Sequence, residues 1–591
     1  MSREKVKLKL NPIDYSAVEL TESCFKEQYE GMLEYYLALP NDDILMGFRR
    51  RAGLPTPGKN LGGWYENDGS FNVYEWDEIF NPFGQWLSLF GRAFAISGDQ
   101  RIYEKAAALL EEWGKTIESD GYFFYSWDCN AYHYSYEKIQ GGLTDLYIYA
   151  NMDKAKELCD KITDWAEKNL HRTRYPASEL RDNFTGGDPK LKLIDNEWYT
   201  LSENLYRMYV ASGDERYKNF AKVWHYDYYW DALRYGNPEL MNRVHGYSHV
   251  NTLGGAAYAY RVYGNEAYLQ TLTRGYEILK KYQLMASGGY AFDEHMATPE
   301  GSNYEDVENI GKSFEVPCGS WAAFKMVRHL ISLTGEARYG DWAETILYNS
   351  IGAALQVRDD NHRRGKLFYY ADYRIGGGRK VYYEHSYPCC AGTYPQALAE
   401  YYNLIYYVDS KTIYLTQYFP SKVKTEVGGK MVELEVFGNY PEDDTFEVRV
   451  GYDGTLPVAL RVPSWVLDGA KISVNGEQQS VEIVPDEWVV LERNWSAGDV
   501  IKVTFPMGLR TYPISLKHPE RAALMYGPVL LASEGRHWTV CGDIAQPDSI
   551  ANKTGKLEFK AKNVDGNELL FRPLWTYEEK EWYTVYHDFF I

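Results

Sequence analysis

Between about residues 30 and 405 the chain alternates two kinds of apolar run, and each switch falls on a short turn, usually built around glycine. The first kind is apolar on nearly every side; the second carries apolar residues on one face only. WLSLFGRAFAISGDQRIYEKAAALLEEW (86–113), LSENLYRMYVASGDERYKNFAKVW (201–224), HVNTLGGAAYAYRVYGNEAYLQTLTRGYEIL (249–279) and WAAFKMVRHLISLTGEARYGDWAETILYN (321–349) share this plan. The turn reads Ser-Gly-Asp, Tyr-Gly-Asn or Thr-Gly-Glu: glycine accepts the left-handed backbone that ends a helix, and the residue after it starts the next one. GGLTDLYIYANMDKAKELCDKITDWAEKNL (141–170) is a further copy with Asn151 at the turn. Adding the opening LEYYLALPNDDILMGFRRRAGL and the closing PQALAEYYNLIYYV gives about six helical hairpins. Their first helices need enclosure by the second ones, which predicts an (α/α)6 toroid. Hairpin spacing alone leaves an open solenoid as the alternative.

After about residue 405 the pattern shortens. TIYLTQYF, KMVELEVFG, TFEVRVGY, PVALRVPSW, KISVNG, EWVVLERNW, DVIKVTF and AALMYGPVLLAS are β-branched or aromatic runs divided by Gly, Pro, Asn and Asp. They predict an antiparallel β-sandwich. The expected organisation is multidomain α+β: an extended segment over 1–25 that joins the sandwich as strand VKLKLNP, a toroid over 26–405 that carries the site, and a β-sandwich region over 406–591.

Composition narrows the function. The 591 residues include 83 Asp plus Glu against 63 Lys plus Arg, a net charge of −20, which disfavours nucleic acid as a partner. No window supplies the roughly 18–20 uninterrupted apolar residues of a membrane helix, and the start, MSREKVKLKLNPIDY, lacks the apolar centre of a secretory signal. The chain reads as soluble and cytoplasmic, although a signal removed earlier is compatible with it, as is a homodimer. Seven cysteines are too sparse and odd for a disulfide framework and read as reduced thiols. With 54 Tyr and 17 Trp, the aromatic content suits both helix packing and stacking on sugar rings.

Loops at one end of a toroid surround a central funnel, so their residues outrank helix interiors as site candidates. HSYPCCAGTYPQ (385–396) carries the adjacent pair Cys389 and Cys390. Adjacent cysteines bridge each other only with strain; two thiolates on one soft metal ion is their better use. Upstream, SFEVPCGSW offers Glu315 and Cys318. One carboxylate and three thiolates suit tetrahedral zinc, while three buried small side chains account for the cysteines equally simply.

The sequence resembles the β-L-arabinofuranosidases of glycoside hydrolase families 127 and 146 from about residue 30 to 535. The stretches that carry the likeness are YLALPNDDILMGFRRRAGL with Gly63 and Trp64 after it, WLSLFGRAFAISGD, KIQGGLTDLY, SENLYRMYVASGD, SHVNT, GGYAFDEHM, EVPC and PCCAGT; in the sandwich they are LRVPSW, VNG, RNWSAGD and MYGPV. The resemblance implies a retaining, exo-acting hydrolase that removes a terminal furanose, β-L-arabinofuranose foremost, from plant-derived oligosaccharides. It implies zinc held by Glu315, Cys318, Cys389 and Cys390, with Cys389 also the nucleophile. It places the acid/base at Glu294 of GGYAFDEHM, with Glu300 as second choice. The family motif has one residue between the ligand Glu and the first ligand Cys; here Val316 and Pro317 stand between them, a spacing that keeps both on one face if the helix covers them.

Further funnel candidates are Lys138, at a family basic position, Glu203 of SENLY, which matches a family Glu, and His249 of SHVNT, which could bind a sugar hydroxyl or simply cap its helix. Trp64, Tyr65, His385 and Tyr387 are candidate walls. The family commonly has His before the lysine; Glu137 stands there in this chain. RDDNHRRGK (358–366), with Arg374 and Arg379, would admit an acidic sugar if it faced the funnel. A carboxylate-only (α/α)6 hydrolase or lyase of acidic sugars, and a non-catalytic glycan-binding protein, are the competing expectations.

Overall fold

The computed structural model describes residues 3–59, 61, 82–127, 131–172, 197–299, 301–359, 365–383 and 387–591. The helical part opens with α1 (Cys24–Ala38). Five hairpins follow: α2 (Phe83–Ser97) with α3 (Gln100–Gly114), α4 (Tyr132–Ala150) with α5 (Asp153–Asn169), α6 (Ser202–Ser212) with α7 (Glu215–Val223), α8 (Gly246–Tyr263) with α9 (Glu266–Tyr282), and α10 (Val316–Thr334) with α11 (Gly340–Ile346). The closing helix is α12 (Cys389–Ala399).

The turns behave as their residues demand. Gly98, Gly213, Gly264, Gly335 and Asn151 all take left-handed backbone at the ends of the first helices. The side chains of Asp99, Asp214 and Asn265 then accept the backbone N–H two residues on, capping α3, α7 and α9. α10 is buried along almost its whole circumference, whereas α5 buries Ala155, Leu158, Cys159, Ile162, Trp165 and Ala166 on one stripe.

The first helices pack in sequence, α2 on α4, α4 on α6, α6 on α8, α8 on α10 and α10 on α12, and α12 packs back on α2. The ring is therefore a closed (α/α)6 toroid and not an open solenoid. Its sixth hairpin is assembled from the two ends of the helical region, because α1 lies against α12. Each second helix carries the chain back across the ring, so the inner helices all begin at one end. No described helix is long and apolar enough to cross a membrane.

The β region holds three large sheets. A five-stranded sheet and a seven-stranded sheet form the sandwich over 406–504, and both include strands from the N-terminal segment. Asn11 pairs with Val408 in the first sheet and Val18 with Val423 in the second. Leu434, Val448, Leu460 and Val503 are buried in a core that is continuous with that of the toroid. Beyond residue 508 the strands leave the sandwich for a separate ten-stranded sheet with its own core around Leu524, Leu531, Phe559 and Phe571. The expected β-sandwich region over 406–591 thus holds this further sheet as well; strand patterns record which face is apolar but not which strands pair. Pairing is mainly antiparallel, with Ile413–Leu415 parallel to Val458–Arg461 and Thr539–Cys541 parallel to Tyr586–Phe590. Gly378–Arg379, from the segment leading to Cys389, adds to the ten-stranded sheet beside Trp582.

Candidate active site

Three inner helices start where the reactive side chains gather. α12 begins with Cys389 and Cys390 themselves, α10 has Glu315 at its N-cap and Cys318 in its first turn, and α8 has His245 at its N-cap. Helix starts expose unpaired N–H groups and positive dipole ends, a setting that favours thiolates and carboxylates.

Ring closure brings one ligand atom each from Glu315, Cys318, Cys389 and Cys390 to within 4.8 Å of one another. Cys390 Sγ stands 3.3 Å from Glu315 Oε1 and 3.4 Å from Cys318 Sγ, and Cys389 Sγ stands 3.4 Å from Glu315 Oε1. Three of the four residues are buried and Cys389 is half-buried, so one donor faces outward. Ligand atoms at the corners of a zinc tetrahedron with bonds near ~2.3 Å lie about 3.8 Å apart, close to the spacings here. Glu315 Oε2 is buried with no hydrogen-bond partner among the described residues, a costly arrangement that a nearby cation would relieve. The residues fit a soft divalent metal.

The extra residue between Glu315 and Cys318 is absorbed differently from the single-face arrangement. Glu315 is not on the helix: Phe314–Glu315 is a short strand paired with Tyr370–Ala371, and α10 starts only at Val316. Pro317, suited to a first turn, marks the change from strand to helix.

Charge concentrates on Cys389. Burial pushes the carboxyl of Glu315 and the thiols of Cys318 and Cys390 up. The neighbouring thiols of Cys318 and Cys390, with the Tyr369 hydroxyl, hold Cys389 well below the ordinary thiol range.

Glu294 lies beside this cluster. Ala291, Asp293 and Glu294 all have positive φ (69°, 45° and 66°), and a run of non-glycine residues in that region is the kind of strain that functional sites retain. The Glu294 carbonyl accepts the Gly246 N–H at 2.6 Å, tying the loop to the start of α8. Glu294 Oε1 accepts from Tyr369 at 2.8 Å and also from Tyr370. The same Tyr369 hydroxyl is 3.4 Å from Cys389 Sγ.

His245 faces both carboxylates, with Nε2 3.6 Å from Glu294 Oε2 and 3.9 Å from Glu315 Oε2, while its Nδ1 is 2.7 Å from Glu197 Oε1. Burial opposes its charge, but the Glu197 and Glu294 carboxylates outweigh burial and raise it to about 9.

The remaining sequence candidates lie deeper or to the side. Lys138 is buried, 2.5 Å from Glu137 and donating to the Tyr247 hydroxyl at 2.8 Å; its ammonium faces the ring of Tyr134, which packs on Cys389. Glu203 is 2% exposed, 2.5 Å from Lys325 and 3.6 Å from His329, further along the axis. His249 Nδ1 lies 2.8 Å from the His245 carbonyl, and burial pushes its pKa down to about 3, so it is neutral. The Tyr387 hydroxyl pairs with that of Tyr35 at 2.6 Å. Trp64, Tyr65, Glu300 and His385 lie outside the described residues. Of the basic stretch 358–366, residues 360–364 lie outside the described residues; beyond it, Arg374 is held by Asp372 at 2.8 Å and Arg379 stacks on Trp582 at 4.3 Å. Sequence reasoning missed His245, Glu197, Tyr369 and Tyr370; the only local signal was His245 four residues before His249, one turn away at a helix start.

Residues 17–403 match the family profile for the GH127 catalytic domain of beta-L-arabinofuranosidase, and residues 412–507 match the profile for the GH127 middle domain. No curated protein sequence matches the chain. Among solved structures, a GH127 beta-arabinofuranosidase is 16% identical, with 99% of this chain and 98% of that chain covered and a TM-score of 0.73. A GH127 beta-L-arabinofuranosidase from Geobacillus stearothermophilus is 17% identical, with 97% and 100% covered and a TM-score of 0.70. A structure described as a glycoside hydrolase is 15% identical, with 98% of both chains covered and a TM-score of 0.69. At these identities the structural likeness bears on the fold, and the toroid followed by a β-sandwich is common ground. With its catalytic profile spanning most of the toroid, the chain belongs to GH127, the β-L-arabinofuranosidase family, and is a glycoside hydrolase.

Proposed function

We propose that this enzyme is a retaining, exo-acting furanosidase that releases terminal β-L-arabinofuranose from plant-derived oligosaccharides. The observation that carries the reading is the convergence of Glu315, Cys318, Cys389 and Cys390, with Glu294 joined to Cys389 through one tyrosine hydroxyl. Zinc held by those four residues supplies one thing, the thiolate form of Cys389 at neutral pH.

Cys389 Sγ attacks the anomeric carbon while the protonated Glu294 carboxyl gives its proton to the departing glycosidic oxygen, so that the C–S bond forms as the C–O bond breaks. Glu294, now a carboxylate, takes a proton from water; that water attacks the same carbon, the sugar leaves and the thiolate returns. Tyr369, bonded to Glu294 and close to Cys389, orients the carboxyl group toward the leaving oxygen. Its two contacts, 2.8 Å and 3.4 Å, cap the separation of acid and nucleophile below the roughly 6.5–9.5 Å of inverting pairs. That closeness supports a double displacement at Cys389, which retains configuration.

The funnel has a closed floor. Below the site the axis is closed by Lys325 on Glu203 and by Arg92 and Arg207 on Asp145. The space left among them is about 20 Å³, room for about one water and none for a threaded glycan.

A panel of aryl furanosides and pyranosides, with metal measured on the same sample, tests the reading. Hydrolysis of the β-L-arabinofuranoside by zinc-containing protein is expected. Metal-free protein in which Cys389→Ser stays active would replace it with a carboxylate-only mechanism.

A further inference from the structure

We propose that Glu197 is a positioning residue that acts through His245, holding the imidazole so that Nε2 faces Glu294 and Glu315 at once. The inference rests on the roles proposed above for those two carboxylates. Glu197 Oε1 lies 2.7 Å from His245 Nδ1, and Ser248 Oγ, itself 2.8 Å from the Tyr199 hydroxyl, lies 3.0 Å from the same nitrogen. With Nδ1 committed twice, the ring has one orientation left to it, and Nε2 is delivered into the gap between Glu294 Oε2 and Glu315 Oε2.

Among the described residues neither of those oxygens has a better donor. Glu294 receives Tyr369 and Tyr370 on Oε1, and Glu315 Oε2 has no hydrogen bond among the described residues. One imidazole therefore orients both the acid/base carboxyl and the carboxylate that would hold the metal, as partners behind a metal ligand commonly do. Glu197 reaches Nδ1 from a left-handed backbone, φ 60°, which disfavours any residue with a Cβ. A carboxylate in that place, buried at 5% exposure, points to a use for the side chain and not to backbone convenience.

The test compares Glu197→Ala, Glu197→Gln, His245→Gln and the Glu197→Ala/His245→Gln double variant in the full-length protein. Glu197→Ala should lower kcat and speed zinc loss to a chelator, each ~10–100-fold, with KM within about threefold. Glu197→Gln, whose amide oxygen still accepts from Nδ1–H, should recover most of that loss. The double variant should match the worse single one, because the two act in series. Multiplying losses, or a Gln variant as poor as Ala, would overturn the proposal. Independently of any substrate, ¹⁵N-labelled wild type should show a low-field imidazole proton that vanishes in Glu197→Ala and in His245→Gln. Absence of that signal from wild type would also overturn it, whereas its presence in a protein that hydrolyses no furanoside would sink the furanosidase reading and leave the Glu197–His245 pair standing.

Discussion

Cys390 Sγ lies 3.4 Å from Cys318 Sγ, although 72 positions separate the two residues along the chain. That is too long for a disulfide, near ~2.05 Å, and near the spacing of two thiolates on one metal. Protein purified without chelator should carry about one zinc per chain. Stripped of metal and treated with diamide, it should form a Cys318–Cys390 disulfide that the zinc-loaded form resists, as read by thiol titration and peptide mass mapping. Metal-free protein whose three thiols alkylate freely as isolated would remove the metal from the account.

Glu294→Gln should slow hydrolysis of substrates with poor leaving groups by ~10²-fold or more, the scale of lost general-acid catalysis. Activated aryl leaving groups need little protonation, so their first step should suffer least, and added azide should rescue the second. Steady-state kinetics across a series of aryl leaving groups is the check; a flat response would take the acid/base role away from this loop.

Lys380 supplies a pH test away from the site. It is 2% exposed beside the ten-stranded sheet, and burial, with help from Arg572, lowers its pKa to about 7. The unfolded chain holds the proton up to about 10.4, so between these values unfolding takes up a proton and stability rises with pH. The cost of the buried ammonium is full below about pH 7 and fades by about pH 10. Lys380→Met should therefore raise stability at pH 6 by roughly 2–4 kcal/mol, with the gain shrinking toward pH 10 in thermal melts. A pH-independent difference would mean that packing, not charge, governs this position.

The hairpin grammar was readable because each helix end is a local event: Gly98, Gly213, Gly264 and Gly335 needed only their own left-handed backbone to announce a turn. The cysteines and Glu315 were readable from residue chemistry together with family likeness. His245, Glu197 and Tyr369 were not, since their partners come from other hairpins and from a loop between α11 and α12, and only closure of the ring brings them together. The third sheet was hidden for a similar reason. Its strands alternate as those of the sandwich do, and the separation lies in pairing.

If Cys389 forms the bond to the anomeric carbon, covalent capture reads that bond out. A cyclophellitol-type or haloacetamide mimic of the arabinofuranosyl group, followed by digestion and mass mapping, should place the label on Cys389. Substrate should protect that position, Cys389→Ala should be inactive and unlabelled while still folded, and Cys390→Ala should chiefly lose metal. A label on a glutamate or aspartate, or turnover by Cys389→Ala, would contradict the account.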